Sequence, residues 1–188
     1  MVSLYTIVGM EYKGKMKMGA DKTLLLMYNV YRNQTYEEGF VMLKGIPKIL
    51  TPELLKILCE MGHGDELTIG DGNFPGHTNA KVEIRLDGHG VPEILEAILK
   101  VMPLDTYVEH PVLLMEKVPG DTVETPIWDT YKEIVAKYDS RGAACFGGIE
   151  RGAFYDRTRE KSSVVIMSSE SALYANIILK KGVITDAE

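Results

Sequence analysis

The chain has 188 residues, enough for one domain with a sizeable core, and its 45% hydrophobic and 26% charged residues are an ordinary globular mixture. Its formal net charge of -6 repels nucleic acid and anionic membrane, and no basic stripe interleaved with aromatics offsets that field. No apolar run approaches the length that spans a bilayer, so a membrane partner is not expected. Cys59 and Cys145 are too far apart in sequence to read as a disulfide framework or a zinc site, and a reducing, cytoplasmic compartment is expected.

Residues 1–41 show weak periodicity. Leu24 to Tyr28 is apolar but too short, and wrongly flanked, for a signal peptide. They are expected to be an N-terminal extension to a domain over 42–188, with Met42 as the natural start. Glu37-Glu38-Gly39 can be encoded by a purine run resembling a bacterial ribosome-binding site, placed two codons before Met42. The alternative is a genuine arm or hairpin packed on the domain.

From residue 42 the pattern sharpens. Thr51-Pro52-Glu53 starts a helix with an N-cap hydroxyl, a proline in the first turn and an acid at the positive end of the dipole. Leu54, Leu55, Ile57, Leu58 and Met61 follow at helical spacing, Gly62 stops the helix, and Cys59 is expected on its apolar side. Residues 66–70 read as a short buried strand, 70–77 as a turn-rich loop, and 82–86 as a second strand of period two. Pro92 opens a helix that Pro103 closes. Val112 to Val118 is strand-like, and Pro126 leads into a helix over 127–138. Beyond it come a strand at 146–150, a turn or short helix at 151–160, a buried strand at 163–167, and a last strand at 176–180. This alternation predicts an α/β class fold: one layered domain with a central, mostly buried sheet flanked by helices.

Residues 61–79, MGHGDELTIGDGNFPGHTN, carry the chemistry. His63 lies between two glycines at a helix end, where its ring is uncrowded, and Asp65 and Asp71 are each candidates to orient it. A histidine–carboxylate pair is an acid/base unit tuned near neutral pH. Asp71 follows an apolar strand, the usual place for ligand groups in α/β sheets. On position alone, a solvated helix-end histidine and a turn aspartate explain the same residues. Tyr155 and Tyr174 are polar-tipped aromatics near strand ends. With amide and guanidinium donors, such groups suit a sugar's apolar face and hydroxyl rim. His63, His77, His89 and His110 show no metal-ligand spacing, so no metal is expected. Neither a nucleophile elbow nor a phosphate-cradling glycine loop occurs.

The run MLKGIPKILTPELLKILCEMGHGDE, followed by Asn73-Phe74-Pro75, resembles the start of the L-fucose mutarotases, in the superfamily that also holds the ribose pyranases. RLDG at 85–88, PLDTYVE at 103–109, IER at 149–151, FYDR at 154–157 and LYANIILKKGV at 173–183 continue the match in order. It covers essentially all of 42–183 and nothing of 1–41.

The resemblance implies a ribose pyranase-like fold and the exchange of α and β anomers of a reducing sugar. A base takes the anomeric hydroxyl proton, an acid protonates the ring oxygen, and the open aldehyde recloses on either face. This proton shuttling calls for no cofactor. Carried over by motif, His63 transfers the proton and Asp71 orients or tunes it. Asp105 binds sugar hydroxyls or assists proton transfer. Arg151, Tyr155, Tyr174 and Asn176 line the sugar pocket, with either tyrosine a candidate proton relay. A homo-oligomer is also implied, a ring in many bacterial relatives, with sugar sites near subunit contacts. The glycines flanking Asp71 depart from the pattern and imply a looser loop. Ala175 matches the ribose branch, whereas His63-Gly64-Asp65 and Asn73-Phe74-Pro75 match the fucose branch. L-fucose is therefore the expected substrate. The alternatives are a D-ribose pyranase, a non-catalytic monosaccharide-binding module, and a hydrolase built on paired carboxylates.

Overall fold

The computed structural model describes residues 43–185. The extension expected over 1–41 and the start expected at Met42 lie outside the described residues.

Helix α1 (Pro52–Glu60) begins where the cap predicts, with the Thr51 hydroxyl accepting the Leu54 N–H at 3.3 Å. Its last carbonyls are satisfied from across the fold, because Lys181 Nζ donates to Leu58 O at 2.8 Å and Met61 O at 2.5 Å. Strand β1 (Glu66–Gly70) is buried along its whole length. There follow α2 (Gly76–Asn79), β2 (Glu83–Leu86), α3 (Val91–Leu99), β3 (Val112–Met115), α4 (Ile127–Val135), a 3-10 turn (Gly142–Cys145), β4 (Phe146–Ile149), α5 (Arg151–Lys161), β5 (Ser162–Ser168) and β6 (Ile177–Lys180).

The strands form one sheet in the order β2-β5-β1-β6-β3-β4. β1 lies parallel to β5 and antiparallel to β6, β2 is parallel to β5, and β3 is antiparallel to β6 and parallel to β4. Five strands therefore point the same way and β6 alone runs back. Alternation of period two sorts the side chains into two layers. Leu67, Ile69, Val164, Ile166, Ile177 and Leu179 join the larger core with α1, α3 and α4. Val165, Met167 and Ile178 face the other way, onto Phe74 and Phe154 of the α2–α5 side. The result is the expected α/β layering, with a buried sheet between helices.

Three local expectations need correction and a fourth is narrowed to one of its two alternatives. Cys59 is exposed, because it lies roughly 140° round the helix from Leu54 and about 100° from Leu58, off the buried stripe those two form. The loop after β1 contains the single turn of α2, closed by Asn79 Nδ2 donating to Pro75 O at 2.8 Å. β3 ends at Met115 rather than Val118, because Val118-Pro119-Gly120-Asp121 forms a turn, with Asp121 N–H donating to Val118 O at 2.9 Å. The stretch at 151–160 is a full helix of 11 residues, capped by the Glu150 side chain on Ala153 N–H.

Candidate active site

The residues singled out from the sequence fall into two groups, one at each end of β1. At its N-terminal end, the loop after α1 turns on Gly64 (φ +87°), whose N–H donates to Lys181 O at 2.9 Å. His63 projects from this loop with its side chain 44% exposed. Its Nε2 lies 3.0 Å from Oδ1 of Asp105, a carboxylate only 2% exposed that also accepts the Tyr107 N–H at 2.9 Å. Burial alone would raise the Asp105 carboxyl. The Tyr107 N–H, the His63 hydrogen bond and charge, and Lys180 outweigh it and hold Asp105 below the usual carboxylate range. An ionised Asp105 only accepts, so His63 Nε2–H is the donor and Nδ1 is the ring nitrogen left for other work. The Tyr107 ring, 78% exposed, tilts against the imidazole with centroids 5.2 Å apart.

At the opposite end, where five strands finish and β6 begins, Asp71 is buried. Its N–H donates to Asn176 Oδ1 at 2.8 Å, and its Oδ1 accepts the Asn73 N–H at 2.9 Å. Burial raises the Asp71 carboxyl above its ordinary value. The Asn73 N–H, the Asn176 side chain and the Ala175 and Phe74 N–H groups act against that rise without cancelling it. Asn176 immediately precedes β6, whose first residue pairs with Ile69 of β1, so sheet register fixes the two side by side. The flanking glycines do not loosen this loop. A Cβ on Gly70 would meet the Phe74 side chain at 2.8 Å, and one on Gly72 would come within 3.1 Å of Glu170 O, which accepts the Gly72 N–H at 2.8 Å. They are small because the loop is packed tightly.

Tyr174 and Arg151 share this end. Tyr174 has φ +57°, the left-handed region that a bulky side chain rarely adopts. α4 holds it there: Trp128 Nε1–H donates to Tyr174 O at 2.7 Å, and Tyr131 O–H donates to Ala175 O at 2.8 Å. Arg151 opens α5, and its charge reaches the Tyr174 hydroxyl. Tyr155, one turn on, packs its ring 5.7 Å from that of Phe74.

Asp71, Arg151, Tyr155, Tyr174 and Asn176 thus gather at one end, and His63 with Asp105 at the other. β1 spans four residue steps of ~3.3 Å between them, roughly 13 Å before either loop is counted. Two expectations change. Within one chain neither Asp65 nor Asp71 orients His63: Asp65 Oδ2 instead accepts the Gly62 N–H at 2.7 Å, and Asp71 is a strand's length away. The orienting carboxylate is Asp105, 42 residues along the chain. Sequence reasoning also missed Asp121 and Trp128, both of which hold Tyr174. The only signal for Asp121 was its place in a Val-Pro-Gly-Asp turn. Among the described residues, no group of three or more His, Cys, Asp and Glu side chains is arranged to hold a metal ion.

A six-stranded layered α/β sheet with an oriented imidazole at one end, and a carboxylate, amide, guanidinium and phenols at the other, defines a small-molecule domain built for polar chemistry. The chain belongs to the RbsD / FucU transport protein family, whose model matches residues 44–184. It is 49% identical over 154 residues to the fucose mutarotase of Danio rerio, spanning 79% of this chain and 98% of that protein. Among solved structures it resembles FucU from Bifidobacterium longum, with 60% identity and a TM-score of 0.74 over 76% of this chain and 100% of that one. It also resembles the fucose mutarotase of Streptococcus pneumoniae in complex with L-fucose, with 42% identity and a TM-score of 0.70 over 76% of this chain and 100% of that one.

Proposed function

We propose that this protein is an L-fucose mutarotase, an isomerase that interconverts α- and β-L-fucopyranose by opening and reclosing the ring. The observation that carries it is the His63–Asp105 pair: a half-exposed imidazole held through one nitrogen by a buried, ionised carboxylate. Nδ1 of His63 is then the group that exchanges protons with the sugar. Removal of the anomeric hydroxyl proton and protonation of the ring oxygen break the C1–O5 bond. Reclosure on the other face returns both protons, so the cycle has no net proton change.

The sugar is held by the other cluster. Asp71 and Asn176 accept and donate to hydroxyls, Arg151 supplies a fork of donors, and Tyr155 and Tyr174 offer aromatic faces. The two clusters stand too far apart in one chain to touch the same ring. A homo-oligomer is therefore part of the reading: His63 of one subunit faces the Asp71–Asn176 cluster of its neighbour, and the site is complete only at the contact. The exposed Tyr107 beside His63 is the side chain such a contact would cover. The free cysteines suit a reducing cytoplasm, where a monosaccharide freed for catabolism is met. Saturation transfer between the anomeric protons of L-fucose, with D-ribose alongside, tests the assignment. Exchange of α and β L-fucopyranose faster than the buffer blank supports it, and acceleration of pyranose–furanose exchange in D-ribose alone replaces it with a pyranase.

A further inference from the structure

The loop between β3 and α4 reaches the sugar-holding cluster at Tyr174. Tyr174 O–H donates to Oδ2 of Asp121 at 2.5 Å, while the Tyr174 oxygen accepts the Val118 N–H at 3.3 Å. The loop is shaped for this grip. Pro119 and Gly120 (φ +86°) occupy the centre of the Val118–Asp121 turn, where a type II turn wants a proline and then a positive φ. Asp121 Oδ1 accepts the Val123 N–H at 2.9 Å, so one carboxylate oxygen fixes the loop and the other holds the tyrosine. The loop is otherwise mostly exposed from Glu116 to Glu124. Tyr174 is the one non-glycine residue with positive φ among the described residues, and Trp128 holds its carbonyl from below.

We propose that Asp121 is a positioning residue that fixes Tyr174 as a rigid wall of the sugar pocket and withholds its hydroxyl from proton transfer. The inference rests on the mutarotase reading above and adds a role to a residue outside the His63 machinery. The phenol is engaged on both sides: its proton lies on a carboxylate and its lone pair on a backbone N–H. Carrying a proton to the sugar would first break a charge-assisted hydrogen bond. The Tyr174 hydroxyl, drawn to Asp121, is accordingly harder to ionise than an ordinary phenol, and Asp121 is held below the usual carboxylate range by Tyr174 and then by Val123. What the arrangement supplies is a ring in one orientation, two residues before Asn176, on a backbone that Trp128 and Tyr131 hold at φ +57°.

The test is a double-mutant cycle on the full chain, read by L-fucose saturation transfer with apparent KM and maximal exchange rate separated. Asp121→Ala and Tyr174→Phe each raise KM at least tenfold and leave the maximal rate within about threefold. The double variant is no worse than either single one. Asp121→Asn, which keeps one of the two acceptor oxygens, recovers only part of the affinity, and melting curves confirm that each variant folds. Effects that multiply in the double variant, an Asp121→Ala protein with unchanged KM, or a Tyr174→Phe protein whose maximal rate falls a hundredfold would each overturn the proposal. Wild-type protein that fails to exchange L-fucose would remove the mutarotase reading and this inference with it. Wild-type exchange with silent Asp121 variants would remove the inference alone.

Discussion

His63 and Asp105, 42 residues apart, meet with Nε2 and Oδ1 at 3.0 Å, and this contact decides which imidazole nitrogen is free. Asp105 accepts from Nε2–H and from the Tyr107 N–H, so the ring can neither flip nor change tautomer without leaving a buried carboxylate short of a donor. Asp105→Asn offers an amide donor in place of one carboxylate acceptor and reverses the polarity of the pair. Anomer exchange is expected to fall roughly 10²-fold or more, the scale of misdirecting a catalytic imidazole, with the fold retained by circular dichroism.

Asp71 and Asp105 are shifted in opposite directions, and the sign of their pH dependence differs accordingly. Asp105 is held below its unfolded value, so it adds stability above that value and loses it as pH falls through the folded pKa. Asp71 is raised by burial, so the folded state binds its proton more tightly. Its contribution is full below the unfolded value and is lost as pH rises through the folded pKa. Asp71→Asn keeps the acceptor for the Asn73 N–H without a buried charge. Urea melts at pH 7 should show this variant at least as stable as the parent, while its L-fucose affinity falls.

The separation of the two clusters along β1 makes subunit sharing testable by complementation. His63→Ala chains alone, and Asn176→Ala chains alone, are each expected to lose most exchange activity. Co-expressed in mixed oligomers, they should regain a substantial fraction, because some contacts then pair an intact His63 with an intact Asn176 of the partner subunit. Mixed oligomers as inactive as either parent would place the whole site within one chain.

Glu66, only 3% exposed, is held by a two-pronged pair with Arg157, at 2.8 Å from Nε and 2.6 Å from Nη2. Beside it, the Thr68 hydroxyl bonds both Thr158 at 3.2 Å and Ser162 at 2.6 Å, so α5 is docked on β1 by polar contacts. Arg157→Ala leaves the Glu66 carboxylate buried without its cation and should cost about 3 kcal/mol in denaturant unfolding. Thiol labelling gives a separate check on the helix faces. Cys59 is exposed and should react with an aromatic disulfide reagent in the folded protein. Cys145 is buried, with its thiol pushed up to about 11, and should react only on unfolding.

Local chemistry made much of this fold legible in the sequence. Thr51-Pro52 marked α1, the apolar run at 66–70 marked a fully buried strand, and the alternating pattern over 82–86 marked β2. α5 was hard to read because it buries only Phe154 and Thr158 and docks through Glu66–Arg157, so it carries no apolar period. The candidate site was legible as a set of proposed residues but not as an arrangement. His63 and Asp71 are eight positions apart and look like partners, yet an extended strand carries them to opposite ends of the sheet. The partners that matter, Asp105 for His63 and Asp121 for Tyr174, lie 42 and 53 residues away, and only the folded topology brings them together.

The most direct measurement is the rate of α–β exchange of L-fucopyranose by saturation-transfer NMR, with wild-type and His63→Ala proteins compared at equal concentration. The expected result is acceleration over the buffer blank by the wild type and a loss of roughly 10²–10⁴-fold in the variant, with both proteins folded. A His63→Ala protein as active as the wild type, or a folded wild type no faster than the blank, would contradict the account.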